Sequence, residues 1–248
     1  MKRTLDNGRR RQIVSPAPPA AERLERRVLL ANDGAAQLVL DIEPATEGSF
    51  DSGGMILRVG DSVYLTGEDA DSPVNNIVGR ELWRSDGQST TLVKDIAPGQ
   101  LGSNPENFTA FNGTLFFTVE RTGPTTSVAA IWKSDGTAAG TVRVSGFPTY
   151  NFIPQGLQGT TTPGRLFFAA DDGVHGSELW KTDGTRAGTR LVADVRAGAV
   201  GSDPRAFKVV GGVLYFTADD LVHGRELWRT DGTAAGTYMV DDINPIRV

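Results

Sequence analysis

The chain has no cysteine and only two histidines among its 248 residues, which excludes disulfides and thiolate chemistry and leaves little from which to build a zinc centre. The missing cysteine leaves the compartment open, because an exported domain held by core packing needs none. No run of 18 apolar residues occurs, so no helical membrane span is expected. An excess of positive charge is also lacking: the net charge is −5, which argues against a nucleic-acid partner for the body of the chain. Nucleophile elbow, phosphate loop and dinucleotide fingerprint are all missing.

Tryptophan is scarce, and its placement organises the chain. The four copies, Trp83, Trp132, Trp180 and Trp228, are 49, 48 and 48 residues apart. Each is followed by Arg or Lys, then Ser or Thr, then Asp-Gly, which places Asp86, Asp135, Asp183 and Asp231 at one position of a repeat. In three copies Gly-Thr follows at a fixed offset: Gly140-Thr141, Gly188-Thr189 and Gly236-Thr237. A period near 48 residues matches one supersecondary unit whose apolar face is covered by its neighbours.

Thirty glycines and thirteen prolines indicate many turns, and the repeat unit divides into four strands. In the last unit Ala206–Val210 leads through Gly211-Gly212, a favoured hairpin turn, into Val213–Ala218. A polar loop, Asp219–Arg225, precedes Glu226–Thr230, and Asp231-Gly232 turns into Thr237–Ile243. The expected fold is therefore all-β, a β-propeller-like array of four four-stranded antiparallel blades at about 55–96, 106–146, 155–195 and 205–243, in a repeat domain spanning 37–248. One tryptophan per blade is expected to pack between adjacent sheets. The fourth strands, such as Leu92–Ile96, Leu191–Val195 and Met239–Ile243, are expected to run until a following proline or glycine stops them. Residues 38–42 form a fifth copy of that strand, ahead of any first strand. It either adds to a sheet edge or marks the chain as part of a longer array.

Residues 1–36 form a separate segment. Eight of the first thirty residues are Lys or Arg against three acids, and Pro16, Pro18 and Pro19 interrupt it, so it reads as disordered or processed. A nucleic-acid-binding arm is the physical alternative for so basic a tail. Leu24-Glu25-Arg26-Arg27-Val28-Leu29-Leu30 resembles the Leu-Glu-Pro-Arg-x-Leu-Leu element near the N-terminus of large bacterial surface proteins, with Arg26 in place of Pro. The consensus Glu-Leu-Trp-(Lys/Arg)-(Ser/Thr)-Asp-Gly-Thr over residues 38–243 likewise resembles a bacterial surface-protein repeat. Together these resemblances imply a secreted or cell-surface protein, propeller-like, with no established activity. Departures from the repeat lie at Ala130-Ile131, at Gln88–Thr91 and at Val144-Ser145-Gly146.

Two constellations could carry chemistry. The paired carboxylates Asp171 and Asp172, and Asp219 and Asp220, lie between the second and third strands and would suit calcium, a hard cation that takes oxygen ligands. The competing reading is an acidic turn whose side chains bind their own backbone amides. His175 and His223 sit at equivalent positions of neighbouring blades without a third nitrogen or sulfur ligand, which argues for turn residues. The repeated Asp-Gly points to turn geometry rather than catalysis, since a catalytic residue is needed once and these recur in every blade. No catalytic residue is assigned and no cofactor other than calcium is expected.

The expectation is a non-enzymatic adhesion or recognition protein whose partner is a surface polysaccharide or protein, with further repeats or self-association through exposed edge strands as additional partners. A lectin-like propeller with a pocket beside each tryptophan and a hydrolase with carboxylates converging in a channel are the rivals.

Overall fold

The computed structural model describes residues 54–69, 78–99, 102–122, 127–147, 155–161 and 164–243, all within the compact unit Ile42–Val248. The basic segment 1–36 and the extra strand 38–42 lie outside the described residues. What is described is all-β: sixteen strands in four four-stranded antiparallel sheets, each a simple meander. Blade one comprises β1 (Ile56–Val59), β2 (Ser62–Asp69), β3 (Val78–Ser85) and β4 (Thr90–Lys94). Blade two comprises β5 (Pro105–Phe111), β6 (Thr114–Thr122), β7 (Ser127–Ser134) and β8 (Val142–Phe147). Blade three comprises β9 (Gln155–Thr161), β10 (Gly164–Asp171), β11 (Ser177–Thr182) and β12 (Arg190–Ala193), and blade four β13 (Arg205–Val210), β14 (Val213–Asp219), β15 (Arg225–Thr230) and β16 (Tyr238–Asp241). No helix among the described residues is long and apolar enough to cross a membrane.

Side-chain alternation gives each sheet two apolar faces, and successive sheets bury them against each other. One face carries the tryptophan and looks back to the preceding blade. In blade three it presents Leu166, Phe168, Ala170 and Trp180, which join Phe111, Phe116, Ile131, Val144 and Phe147 of blade two. The Trp180 ring meets Phe147 of blade two edge-on at 5.2 Å. Trp132 packs into the core shared by blades one and two, with Lys94 of blade one above its ring, and Trp228 into the core shared by blades three and four. Trp83 departs from this pattern: it packs on Leu65 and Leu92 of its own blade and donates its Nε1 hydrogen to the carbonyl of Gly67 at 2.9 Å.

Every blade has a register shift between the third and fourth strands at the step into the tryptophan: Leu82/Trp83, Ile131/Trp132, Leu179/Trp180 and Leu227/Trp228. A bulge there adds local twist at the same point of each sheet.

The fourth strands are shorter than the sequence pattern suggests, ending at Lys94, Ala193 and Asp241. The cause is a carboxylate rather than a proline. Glu81 accepts the amides of Ile96 and Ala97, Glu178 accepts that of Arg196, and Glu226 that of Ile243, so these donors leave the ladder before the chain reaches Pro98 or its counterparts.

Candidate functional site

The repeated signature builds a hydrogen-bonded cage. In blade three Asp183 Oδ1 accepts the Thr185 amide at 2.9 Å and its hydroxyl at 2.7 Å, while Thr182 Oγ1 accepts the Gly184 amide. Thr185 Oγ1 accepts the Gly188 amide, and Thr189 closes the ring by bonding Thr182 Oγ1 and the Thr185 carbonyl. Asp135 and Asp231 head the same arrangement in blades two and four. Blade one, where Gln88-Ser89 replaces the longer stretch, keeps a smaller version in which Asp86 Oδ1 accepts the amides of Gln88 and Ser89. Thr137 and Thr185, through hydroxyl and then amide, hold Asp135 and Asp183 below the ordinary carboxylate pKa. The threonine hydroxyls, the aspartate Oδ1 and the turn amides of the signature are paired with one another, which accounts for their recurrence in structural terms.

The glutamate of Glu-Leu-Trp has a separate task. Glu178 is fully buried and binds the amides of Arg196 and Ser202 and, at 2.6 Å, the Ser202 hydroxyl. Glu81 does the same with Ile96, Ala97 and the hydroxyl of Ser103. These carboxylates clamp the exit of one blade to the entrance of the next. Burial pushes both pKa values up, although the serine hydroxyl and backbone amides act in the opposite direction. A raised carboxylate pKa can mark an acid catalyst, but here every contact is to serine or backbone. The signal was present in the sequence: the matching linkers Gly102-Ser103-Asn104-Pro105 and Gly201-Ser202-Asp203-Pro204 follow blades one and three, which have the glutamate, and no such linker follows blade two, which has Ala130 in its place.

The loop carboxylates singled out for calcium are engaged locally. Asp171 Oδ1 accepts the Gly173 amide, and Asp172 accepts the amides of Val174 and His175 and contacts the His175 ring at 2.8 Å. Asp219 and Asp220 repeat this with Leu221, Val222 and His223, with a ring contact of 2.7 Å. Partial burial opposes charge on Asp172, but the donated hydrogen bonds outweigh it and its pKa is lowered, while the bond to Asp172 raises that of His175. Among the described residues no group of three His, Asp or Glu side chains converges as a metal would require.

What these braced loops display is apolar. Leu221 has φ of 73°, where blade three has Gly173, yet its side chain is 70% exposed. A leucine in the left-handed region costs about 1–2 kcal/mol. Val222 beside it, Val174 in the equivalent loop and Val200 in the linker between the blades are also exposed. The linker joins the two loops: Gly201 bridges to Ser177, and Arg196 lies 3.6 Å from Asp219. Asp203 binds both Arg205 and Arg225 at 2.7 Å. The result is an apolar rim on blades three and four, set among arginines and the Asp-His pairs. The corresponding loops of blades one and two lie largely outside the described residues.

No family model matches the chain, and no curated protein matches it. Solved structures do. An exo-β-1,3-galactanase from Phanerochaete chrysosporium is 12% identical with a TM-score of 0.39, the alignment covering 88% of this chain and 53% of that one. A puromycin-hydrolyzing peptidase of Mycobacterium tuberculosis is 13% identical with a TM-score of 0.46, covering 71% and 28%. Pyrococcus horikoshii acylaminoacyl peptidase is 14% identical with a TM-score of 0.42, covering 78% and 27%. The chain thus spans about half or less of these three proteins, and likeness at this level assigns no activity.

Proposed function

We propose that the protein is a non-enzymatic recognition module, exported to the cell surface or beyond, that binds a protein ligand through the loops of blades three and four. The observation that carries this reading is Leu221: an exposed apolar side chain held in an unfavourable backbone region by a loop whose polar groups are otherwise satisfied. Strain of this kind accumulates where a side chain is needed for contact, and neighbouring Val174, Val200 and Val222 extend the apolar surface. A polysaccharide is less well suited, because Trp132, Trp180 and Trp228 pack against the cores between blades and are only partly accessible to a sugar ring. The buried Glu81 and Glu178 are committed to backbone amides and serine hydroxyls, which argues against their serving as a hydrolase's acid and base.

The test is binding of the full chain to arrays of extracellular proteins and glycans, alongside a variant carrying Leu221→Asp and Val222→Asp. Binding to a protein that is lost in a variant of unchanged circular dichroism supports the reading. Binding that survives, or goes to glycans alone, refutes it, as does glycan hydrolysis that disappears with inward-facing carboxylates.

A further inference from the structure

The three internal joints between blades are built alike. At each, an aromatic side chain on the second strand and a basic side chain following the tryptophan meet the Asp-Gly turn of the next blade. Tyr64 and Arg84 lie against Gly136, where a β-carbon would fall 2.7 Å from the tyrosine hydroxyl and 3.1 Å from Arg84 Cδ. Phe116 lies against Gly184 and Phe167 against Gly232. Lys133 Nζ donates to the Gly184 carbonyl at 2.9 Å, and Lys181 Nζ to the Gly232 carbonyl at 2.5 Å. Beneath these contacts lie Leu82, Ile131 and Leu179, all fully buried, and the valines Val93, Val144 and Val192, at 6%, 4% and 5% exposure.

Blade four carries the same set with nothing described against it. Tyr215 replaces the aromatic, Arg229 the basic residue and Leu227 the leucine, each only partly buried, and Val240, the fourth valine of the series, is 44% exposed. The Arg229 guanidinium lies over the Tyr238 ring at 5.2 Å, while its Nε is buried and has no hydrogen-bond partner. Blade one offers the complementary half. Gly87 has no atom within 4 Å of where its β-carbon would be, unlike the other three turn glycines, and Asp86 and Gly87 are exposed. Leu65 and Trp83 are already buried, so the turn, and not the tryptophan, is what the first blade presents.

We propose that the outer face of blade four binds the Asp86-Gly87 turn of a second copy of this chain, repeating between molecules the joint formed three times within one. Two features select this occupant over an unrelated protein: the face reproduces an interface already made to this type of turn, and Arg229 supplies the charge that Asp86 lacks. The contact is heterologous, each copy using a different surface, so association can extend beyond two copies.

The experiment is sedimentation of the full chain across the micromolar to sub-millimolar range. The mass is expected to rise with concentration from one copy to two and more. Arg229→Glu and Asp86→Lys should each remain single copies, and an equimolar mixture of the two should associate again, because the reversed charges then pair. Wild-type chain that stays single throughout, or folded variants whose mixture stays single, overturns the proposal. Should Asp86→Lys fail to fold, the absence of native cysteine allows a second measurement. Gln88→Cys mixed with Tyr238→Cys should form an oxidised dimer that neither forms alone. The absence of that dimer, or a chain carrying both cysteines that closes only on itself, overturns it equally.

Discussion

Gly188 lies so close to Asp183 that a β-carbon on the glycine would fall 2.0 Å from Oδ1 of the carboxylate. The same relation joins Gly140 to Asp135 and Gly236 to Asp231, at 2.1 and 2.2 Å. It explains why the signature places glycine five residues after the aspartate: the aspartate is fixed by Thr185 and has no room to yield. Gly188→Ala should therefore destabilise the fold by about 1 to 3 kcal/mol, as overpacking does, and the check is a thermal melt beside Arg186→Ala, an exposed substitution in the same loop that should leave the melt unchanged.

Removing the clamp should cost more than removing a turn. Glu178→Ala leaves buried amides of Arg196 and Ser202 without an acceptor, and a loss of about 3 kcal/mol is expected from denaturant unfolding. Ser202→Ala should cost about 1 kcal/mol, since it removes one hydrogen bond and leaves the amide contacts in place.

The same glutamates make a distinct contribution to pH dependence. Because burial raises their folded pKa above the unfolded value of about 4.3, this contribution is most favourable below that value. It falls as the pH rises towards the folded pKa. In Glu178→Gln that part of the slope should be absent from stability measured by urea unfolding across the window.

The histidines contribute with the proton bound. Asp172 and Asp220 raise the pKa of His175 and His223 above the ordinary value of about 6.5. Their stabilisation is complete below that value and is lost as the pH rises through the folded pKa. The melting temperature of the wild type should fall over that window more than that of a His175→Asn, His223→Asn double variant. Equal slopes would remove the proposed role of the Asp-His pairs.

Relief of strain at Leu221 should separate stability from recognition. Leu221→Gly is expected to raise stability by about 0.5 to 1 kcal/mol, the left-handed cost less the entropy glycine gives up. The same change should weaken ligand binding, as measured by surface plasmon resonance once a ligand is in hand.

The periodicity of the tryptophans and the alternation of the strands were enough to read four antiparallel meanders, because both report local geometry that repeats. Tertiary competition for backbone amides was harder to read. Leu92–Ile96 has every mark of a five-residue strand, and only the position of Glu81 shows that its last amide is taken elsewhere. The roles of Asp86, Asp135, Asp183 and Asp231 as turn residues followed from their recurrence. The prominence of Leu221 did not, since nothing in the string Asp219-Asp220-Leu221 announces a positive φ until it is set beside Asp171-Asp172-Gly173.

The closure of each Asp-Gly cage has a kinetic corollary. From Thr182 to Thr189, or from Thr230 to Thr237, every bond is made within eight consecutive residues, so the hairpin joining third and fourth strands needs little loop-closure entropy and can form before any distant contact. Each blade thus carries its own nucleus. Slow steps of folding should then lie in docking one preformed sheet against the next.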